Sequence, residues 1–145
     1  MPSRDRAAEL NQALELMYFG FRGLVDAPDR LLARRGLARM HHRILYFIAR
    51  ERGLSVGDLL VRLGISKQAL HGPLRELVAR RLVATSADQK DGRVRRLELS
   101  QAGAALEGRL SGMQRAHLAR IFSGTGSRAE SGWRTVMLAM SSRDS

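Results

Sequence analysis

Ser55-Val56-Gly57-Asp58-Leu59-Leu60-Val61-Arg62-Leu63-Gly64-Ile65-Ser66-Lys67-Gln68-Ala69-Leu70-His71-Gly72-Pro73-Leu74-Arg75-Glu76-Leu77-Val78 is the stretch on which the fold turns. Ser55 is placed to cap a short helix through its hydroxyl, with Val56, Leu59, Leu60 and Leu63 on one side. Gly64-Ile65 makes a tight turn, and Ser66 caps a second helix. In that helix Leu70, Leu74, Leu77 and Val78 recur at i, i+4, i+7 and i+8, the spacing of one buried face. Two short capped helices around a glycine turn form a helix-turn-helix. Pro73 stands inside the second helix, where an unrelieved proline costs ~3 kcal/mol. Either the helix kinks there, or residues 66–71 form a separate turn and Gly72-Pro73 starts the regular helix.

On the C-terminal side, Leu82-Val83-Ala84-Thr85 and Val94 to Leu99 read as two short strands. Asp91-Gly92 lies in the polar stretch between them, a hairpin signal because glycine takes positive φ freely. On the N-terminal side a helix fits 39–51, with Ile44, Leu45, Phe47 and Ile48 inward and Gly53 placed to end it.

Beyond this centre lie longer helices. Residues 7–26 carry Leu10, Leu14, Met17, Phe21 and Leu24 at spacings of four and three, a narrow seam suited to a partner helix. Asp26-Ala27-Pro28-Asp29 is expected to break that helix. Ser100 caps a helix over roughly 101–122, with Leu106, Leu110, Met113, His117 and Ile121 on one face. A Ser/Gly-rich break from Ser123 to Ser131 precedes a last helix around 130–140, which presents Trp133, Val136, Met137 and Met140. One small domain cannot cover all of these terminal stripes, and a two-fold dimer does so economically. The expected architecture is mainly α with a two-stranded β wing (α+β), a winged helix-turn-helix in one chain of 1–145. Residues 39–100 form its DNA-binding region, and 7–38 and 101–145 its dimerisation helices.

Charge gives this fold a partner. The chain carries a formal net charge of +11 on 145 residues, nearly all of it arginine, since Lys67 and Lys90 are the only lysines. From Arg62 to Arg96 nine basic residues face three acidic ones, a net of +6. More than half of the excess lies in a quarter of the chain, the enrichment that a phosphate footprint requires. Opposite the leucines of the second helix stand Ser66, Lys67, Gln68, His71, Gly72 and Arg75. Glutamine pairs with adenine, arginine with guanine, and glycine lets a backbone come close to DNA. The plain alternative is a solvated helix face. Arg93, at the hairpin tip, is placed to enter a minor groove. Arg95 and Arg96 suit phosphate contact or structural pairing, and Asp91 is expected to hold the loop through backbone amides or an arginine.

Other function classes fare worse. The chain has no cysteine, which excludes disulfides, Cys-ligated zinc and thiol redox sensing. No Gly-rich phosphate loop, Cys/His pair or paired carboxylates in helical register stands out, so no catalysis, cofactor or metal site is expected. His41 and His42 are adjacent and cannot both point at one metal from a regular helix. No apolar run approaches the ~18–20 residues that span a bilayer, and a cytoplasmic protein with no membrane partner is expected. A nonspecific architectural DNA binder and a winged-helix module for protein contacts remain as alternatives.

The run from Ser66 to Val83, followed by Asp91-Gly92-Arg93-Val94-Arg95-Arg96-Leu97-Glu98-Leu99-Ser100-Gln101-Ala102-Gly103, resembles the MarR family of bacterial winged-helix regulators. The family pattern of an acidic residue, any residue, arginine, then Leu-x-Leu-Ser/Thr-x-x-Gly is met by Asp91, Arg93, Leu97, Leu99, Ser100 and Gly103. The resemblance implies a repressor that is a homodimer joined through its terminal helices and reads a pseudo-palindromic duplex operator. It implies that Arg93 contacts the minor groove and Asp91 orients it. It also implies release by a small, often aromatic, effector, for which Tyr18, Phe19, His41, His42 and Tyr46 are candidates against a core or dimer-contact reading. Two positions depart from the family. Arg81 stands where glycine is usual, and a proline like Pro73 is uncommon mid-helix.

Overall fold

The computed structural model describes Met1 and residues 3–142; Pro2 and the last three residues of the expected dimerisation segment lie outside the described residues. The elements in chain order are α1 (Arg4–Arg34), α2 (Arg39–Arg50), β1 (Leu54–Ser55), α3 (Val56–Leu63) and α4 (Lys67–Ala79). They are followed by β2 (Val83–Ala87), β3 (Arg95–Leu99), α5 (Gln101–Thr125) and α6 (Ser127–Ser141). Among the described residues no helix is long and apolar enough to cross a membrane. The chain divides into two compact units, Met1–Leu24 with Met113–Ser145, and Val25–Gly112.

The Val25–Gly112 unit holds the core. Ile44, Leu45 and Ile48 of α2, Leu59 of α3, Leu70 and Leu77 of α4, and Leu97 of β3 are all at most 2% exposed. Each such side chain contributes about 1.5–3 kcal/mol relative to exposure. The unit reaches beyond 39–100 because Val25, Pro28, Leu31 and Leu32 of α1 and Leu106 and Leu110 of α5 are buried in it.

The caps expected at Ser55 and Ser66 form. The Ser55 hydroxyl accepts from the Asp58 amide at 3.0 Å, and the Ser66 hydroxyl from the Ala69 amide at 3.1 Å. Gly64 ends α3 at φ 65°, in the left-handed region that glycine occupies without strain.

Several elements differ from the sequence expectation. Helix α1 runs on through Asp26-Ala27-Pro28-Asp29 instead of breaking. The apolar positions 25, 28 and 32 share one helical face, so burying the Pro28 ring with its neighbours offsets the lost hydrogen bond. The two aspartates are spent on ion pairs, Asp26 with Arg30 and Asp29 with Arg39. Helix α4 is a single helix with Pro73 inside it, neither restarted at Gly72-Pro73 nor preceded by a separate turn. The break after α5 is one residue, Gly126 at φ 94°.

The wing also has a third strand. β1 pairs antiparallel with β3 (Leu54 with Leu97, Ser55 with Arg96), and β3 pairs with β2 (Val83 with Leu99, Thr85 with Leu97). The order β1-β3-β2 puts Leu97 at the centre of the sheet, where it is fully buried. A strand of two residues is too short to show any periodicity in a sequence.

In the other unit the apolar stripes face outward. Leu14, Leu16 and Phe19 of α1 are 58–65% exposed, and Val136, Leu138 and Met140 of α6 56–70%. Trp133 packs on Phe122 with ring centroids 5.3 Å apart, a local contact that leaves it 43% exposed.

Candidate nucleic-acid interface

Helix α4 presents one continuous polar face. Ser66, Lys67, Gln68, His71, Gly72 and Arg75 are all exposed, while Leu70 and Leu77 on the far side are buried. Nothing lies within 4 Å of where a Gly72 Cβ would stand, so the backbone there is open to close approach. Lys67, His71 and Arg75 share a groove of about 350 Å³ with Arg95 of the wing, over a floor of Leu70, Leu74 and Val78. The fold thus brings helix and wing candidates that are 20 residues or more apart onto one surface.

The wing is organised by two aspartates. Asp91 Oδ1 accepts from the Arg93 amide at 3.1 Å and from Arg93 Nε at 3.3 Å. The carboxylate holds both the turn and the root of the arginine, whose side chain is 94% exposed. Gly92 adopts no positive φ, so the turn does not rest on the glycine freedom expected of it. Asp88 does that work instead. Its Oδ2 accepts from the Lys90 and Asp91 amides, both at 3.1 Å, and its Oδ1 takes Arg96 Nε at 3.1 Å. The Arg96 hydrogen bond, then the Asp91 amide, holds the Asp88 carboxyl below its ordinary pKa. Asp88 is one of the three acidic residues in the Arg62–Arg96 stretch, and its charge alone does not mark it as the organiser of the turn. The signal available was an Asx turn, an aspartate bonding the amide two residues on.

The three wing arginines have different surroundings. Arg96 is tied to Asp88 and, at 3.4 Å, to the Gly53 carbonyl. Arg95 donates to Thr85 Oγ1 at 3.1 Å across the β2–β3 ladder. Arg93 extends into solvent from Asp91.

A second network braces α4 along one flank. His41 Nδ1 accepts the Ala38 amide at 2.9 Å, which leaves Nε2–H to donate to Glu76 at 3.1 Å. Glu76 also takes Arg80 at 2.7 Å, and Arg80 donates to the Arg35 carbonyl. The one carboxylate on α4 is therefore matched by Arg80 first and His41 second, which together hold its pKa below the ordinary value. Glutamate four residues before arginine was visible in the sequence; its histidine partner, 35 residues away, was not.

The turn leaving α4 explains the departure at Arg81. The Arg81 amide bonds the Val78 carbonyl and the Leu82 amide the Leu77 carbonyl, both at 3.0 Å. This is a Schellman motif, and Leu77 and Leu82, at the two positions whose hydrophobic contact frequently accompanies it, are both buried. Arg81 takes the left-handed position at φ 60°, where glycine would be free of strain.

The effector candidates are divided between the two units. Tyr18 and Phe19 belong to one unit, exposed and edge-on to each other at 5.4 Å. His41, His42 and Tyr46 belong to the other. His41 is engaged with Ala38 and Glu76 as above, and His42 Nε2 lies 3.1 Å from the buried Ser111 hydroxyl. The adjacent histidines thus reach different helices, α4 and α5. Burial, then the neighbouring Arg43 charge, lowers the His42 pKa. Tyr46 stacks under the Arg50 guanidinium at 4.6 Å, and Arg50 pairs with the buried Glu107.

Comparison with known proteins bears on this arrangement. The profile described as the MarR family matches residues 35–94. The chain is 39% identical over 132 residues to the HTH-type transcriptional regulator PetP of Rhodobacter capsulatus, covering 91% of this chain and 80% of that protein. Among solved structures, a MarR family transcription regulator matches with a TM-score of 0.79 at 22% identity, over 94% of this chain and 90% of that one. BpsR of Bordetella bronchiseptica, whose DNA binding is regulated by 6-hydroxynicotinic acid, matches with a TM-score of 0.71 at 20% identity, over 90% of this chain and 99% of that one. At these identities the structural matches speak for the fold.

Proposed function

The chain belongs to the MarR family of transcriptional regulators, and from that premise we propose that it is a homodimeric repressor binding a pseudo-palindromic duplex operator in the cytoplasm. The observation that carries this reading is the common surface of α4 and wing. Lys67, Gln68, His71, Gly72 and Arg75 are exposed on one helix face, and Arg93 is held by Asp91 beyond it. Gln68 and Arg75 are assigned to base edges, and Lys67 and Arg95 to phosphates. Arg93 is assigned to the minor groove. The role is binding, with no catalytic step.

Dimerisation is supported by the apolar stripes of α1 and α6, exposed in the single chain, since contiguous apolar surface of this kind marks association sites. A small aromatic effector is a further part of the reading. BpsR offers the precedent of such a ligand, and Tyr46 under Arg50 supplies an aromatic face and a cation in this chain.

Selection from a random duplex pool at about physiological salt tests the reading, because nonspecific binding is weak there, ~10⁻⁴–10⁻⁶ M. An enriched inverted repeat with half-sites about one helical turn apart is the expected result. Retention without any enriched sequence, vanishing as salt rises, would leave only the charge active and favour the architectural alternative.

A further inference from the structure

Five arginines, Arg30, Arg34, Arg35, Arg39 and Arg43, stand between residues 30 and 43 with no acidic residue among them. They bracket the corner between α1 and α2, outside the surface assigned above, and all five are exposed. Arg30 is matched by Asp26 and Arg39 by Asp29. Among the described residues no ion pair neutralises Arg34 or Arg35.

The corner is docked on α4 by a definite set of bonds. Arg80 donates to the Arg35 carbonyl and, at 3.4 Å, to that of Gly36, while Glu76 takes both Arg80 and His41. At 100° per residue, Glu76 and Arg80 lie on the flank of α4 opposite His71, Leu74 and Val78. That second flank is the one shared with Thr85 and Arg95 of the wing. The exposed face bearing Gln68, Gly72 and Arg75 therefore runs between the wing on one side and the α1–α2 corner on the other.

A helix lying in a major groove meets two phosphate backbones, one along each wall. The wing cations supply one wall. We propose that Arg34 and Arg35 contact the phosphate backbone on the other wall, so that the α1–α2 corner is a second, sequence-independent half of the DNA clamp. The inference rests on the DNA-binding reading above. The Arg80 and Glu76 bonds hold the corner in fixed register with α4, so these arginines position the helix as well as attract the duplex.

The test is fluorescence anisotropy on a mixed-sequence duplex about three helical turns long, from about 50 to 200 mM salt. It compares the wild type with R34A/R35A, R34K/R35K, R109A and R93A. Each phosphate contact contributes about 0.9 to the slope of log affinity against log salt. The slope of R34A/R35A is expected to be shallower by about 1.8, with R34K/R35K close to wild type and R109A, which removes an exposed charge from α5, unchanged. A wild-type slope for R34A/R35A, alongside a shallower one for R93A, overturns the corner contact and leaves the DNA-binding reading standing. An R109A loss equal per charge to that of R34A/R35A also overturns it, since net charge alone would then act. Absence of salt-dependent binding by the wild type removes the DNA-binding reading and this inference with it. A thermal melt of R34A/R35A matching wild type shows that the variant is folded.

Discussion

Gly103 lies so close to Leu82 that a Cβ added at position 103 would stand 2.9 Å from the Leu82 carbonyl carbon, and nearer still to its oxygen. The same junction is tied by Ser100, whose amide donates to the Leu82 carbonyl at 3.1 Å and whose hydroxyl donates to the Arg81 carbonyl at 2.7 Å. The Ser100 hydroxyl also accepts the Gly103 amide at 3.0 Å, capping α5. The Ser-x-x-Gly element thus fastens the first turn of α5 to the turn that leaves α4.

Gly103→Ala is expected to destabilise the protein by about 1–3 kcal/mol, because a backbone cannot yield as a flexible side chain does. Gly108→Ala, five residues on in the same helix with nothing within 4 Å of its Cβ, should instead stabilise by about 0.5–1 kcal/mol. Urea unfolding of the two variants would show opposite shifts in midpoint. A common sign would mean that the contact with Leu82 relaxes at little cost.

Arg81→Gly removes the strain of a left-handed arginine and should raise stability by about 1 kcal/mol. The gain is read as a higher unfolding midpoint with an unchanged denaturant slope. A loss of stability would show that the Arg81 side chain makes interactions worth more than the backbone strain.

The histidine buried against α5 predicts a pH dependence. His42 has its pKa lowered from the ordinary 6.5 by burial first and Arg43 second, with Asp29 acting weakly the other way. The unfolded chain then binds the proton more readily than the folded one, so stability rises with pH through this window. As pH falls below about 6.5 the native state loses stability, and the loss is complete once pH is below the lowered value as well. His42→Gln, which keeps a hydrogen-bonding group near Ser111 without titrating, should flatten the slope between pH 5 and 7. Thermal melts across that range measure it, and an unaltered slope in the variant assigns the titration elsewhere.

Two substitutions on the proposed DNA surface should separate reading from anchoring. Arg93→Ala is expected to weaken binding to all duplexes, since the side chain, held by Asp91 at its Nε, is exposed to solvent at the proposed minor-groove contact. Gln68→Ala should relax specificity at particular base pairs by about 1–3 kcal/mol. Competition binding against single-base variants of a selected site distinguishes them, and identical behaviour would dissolve the division of labour.

The local devices were legible in the amino-acid order because each is made by residues a few positions apart. Ser55 and Ser66 cap α3 and α4 through amides three residues on, and Gly64 closes α3 in the left-handed region. Asp91 bonds Arg93 two residues later. Leu70 and Leu77 of α4 are buried at helical spacing. Periodicity, capping chemistry and charge density sufficed for the winged helix and for its basic face.

Tertiary structure alone decided the rest. Pro28 stays inside α1 because burial of its ring outweighs a local preference that no window of sequence can weigh. Leu54 and Ser55 become a strand only because β3, more than 40 residues later, offers its free edge. Glu76 is matched by His41 from a different helix, Asp88 by Arg96 across the hairpin, and Gly103 is required by a carbonyl 21 residues earlier. The reason is common to all of these. Short-range preferences are worth about 1 kcal/mol each, whereas burial and long-range pairing depend on neighbours that the chain acquires only by folding.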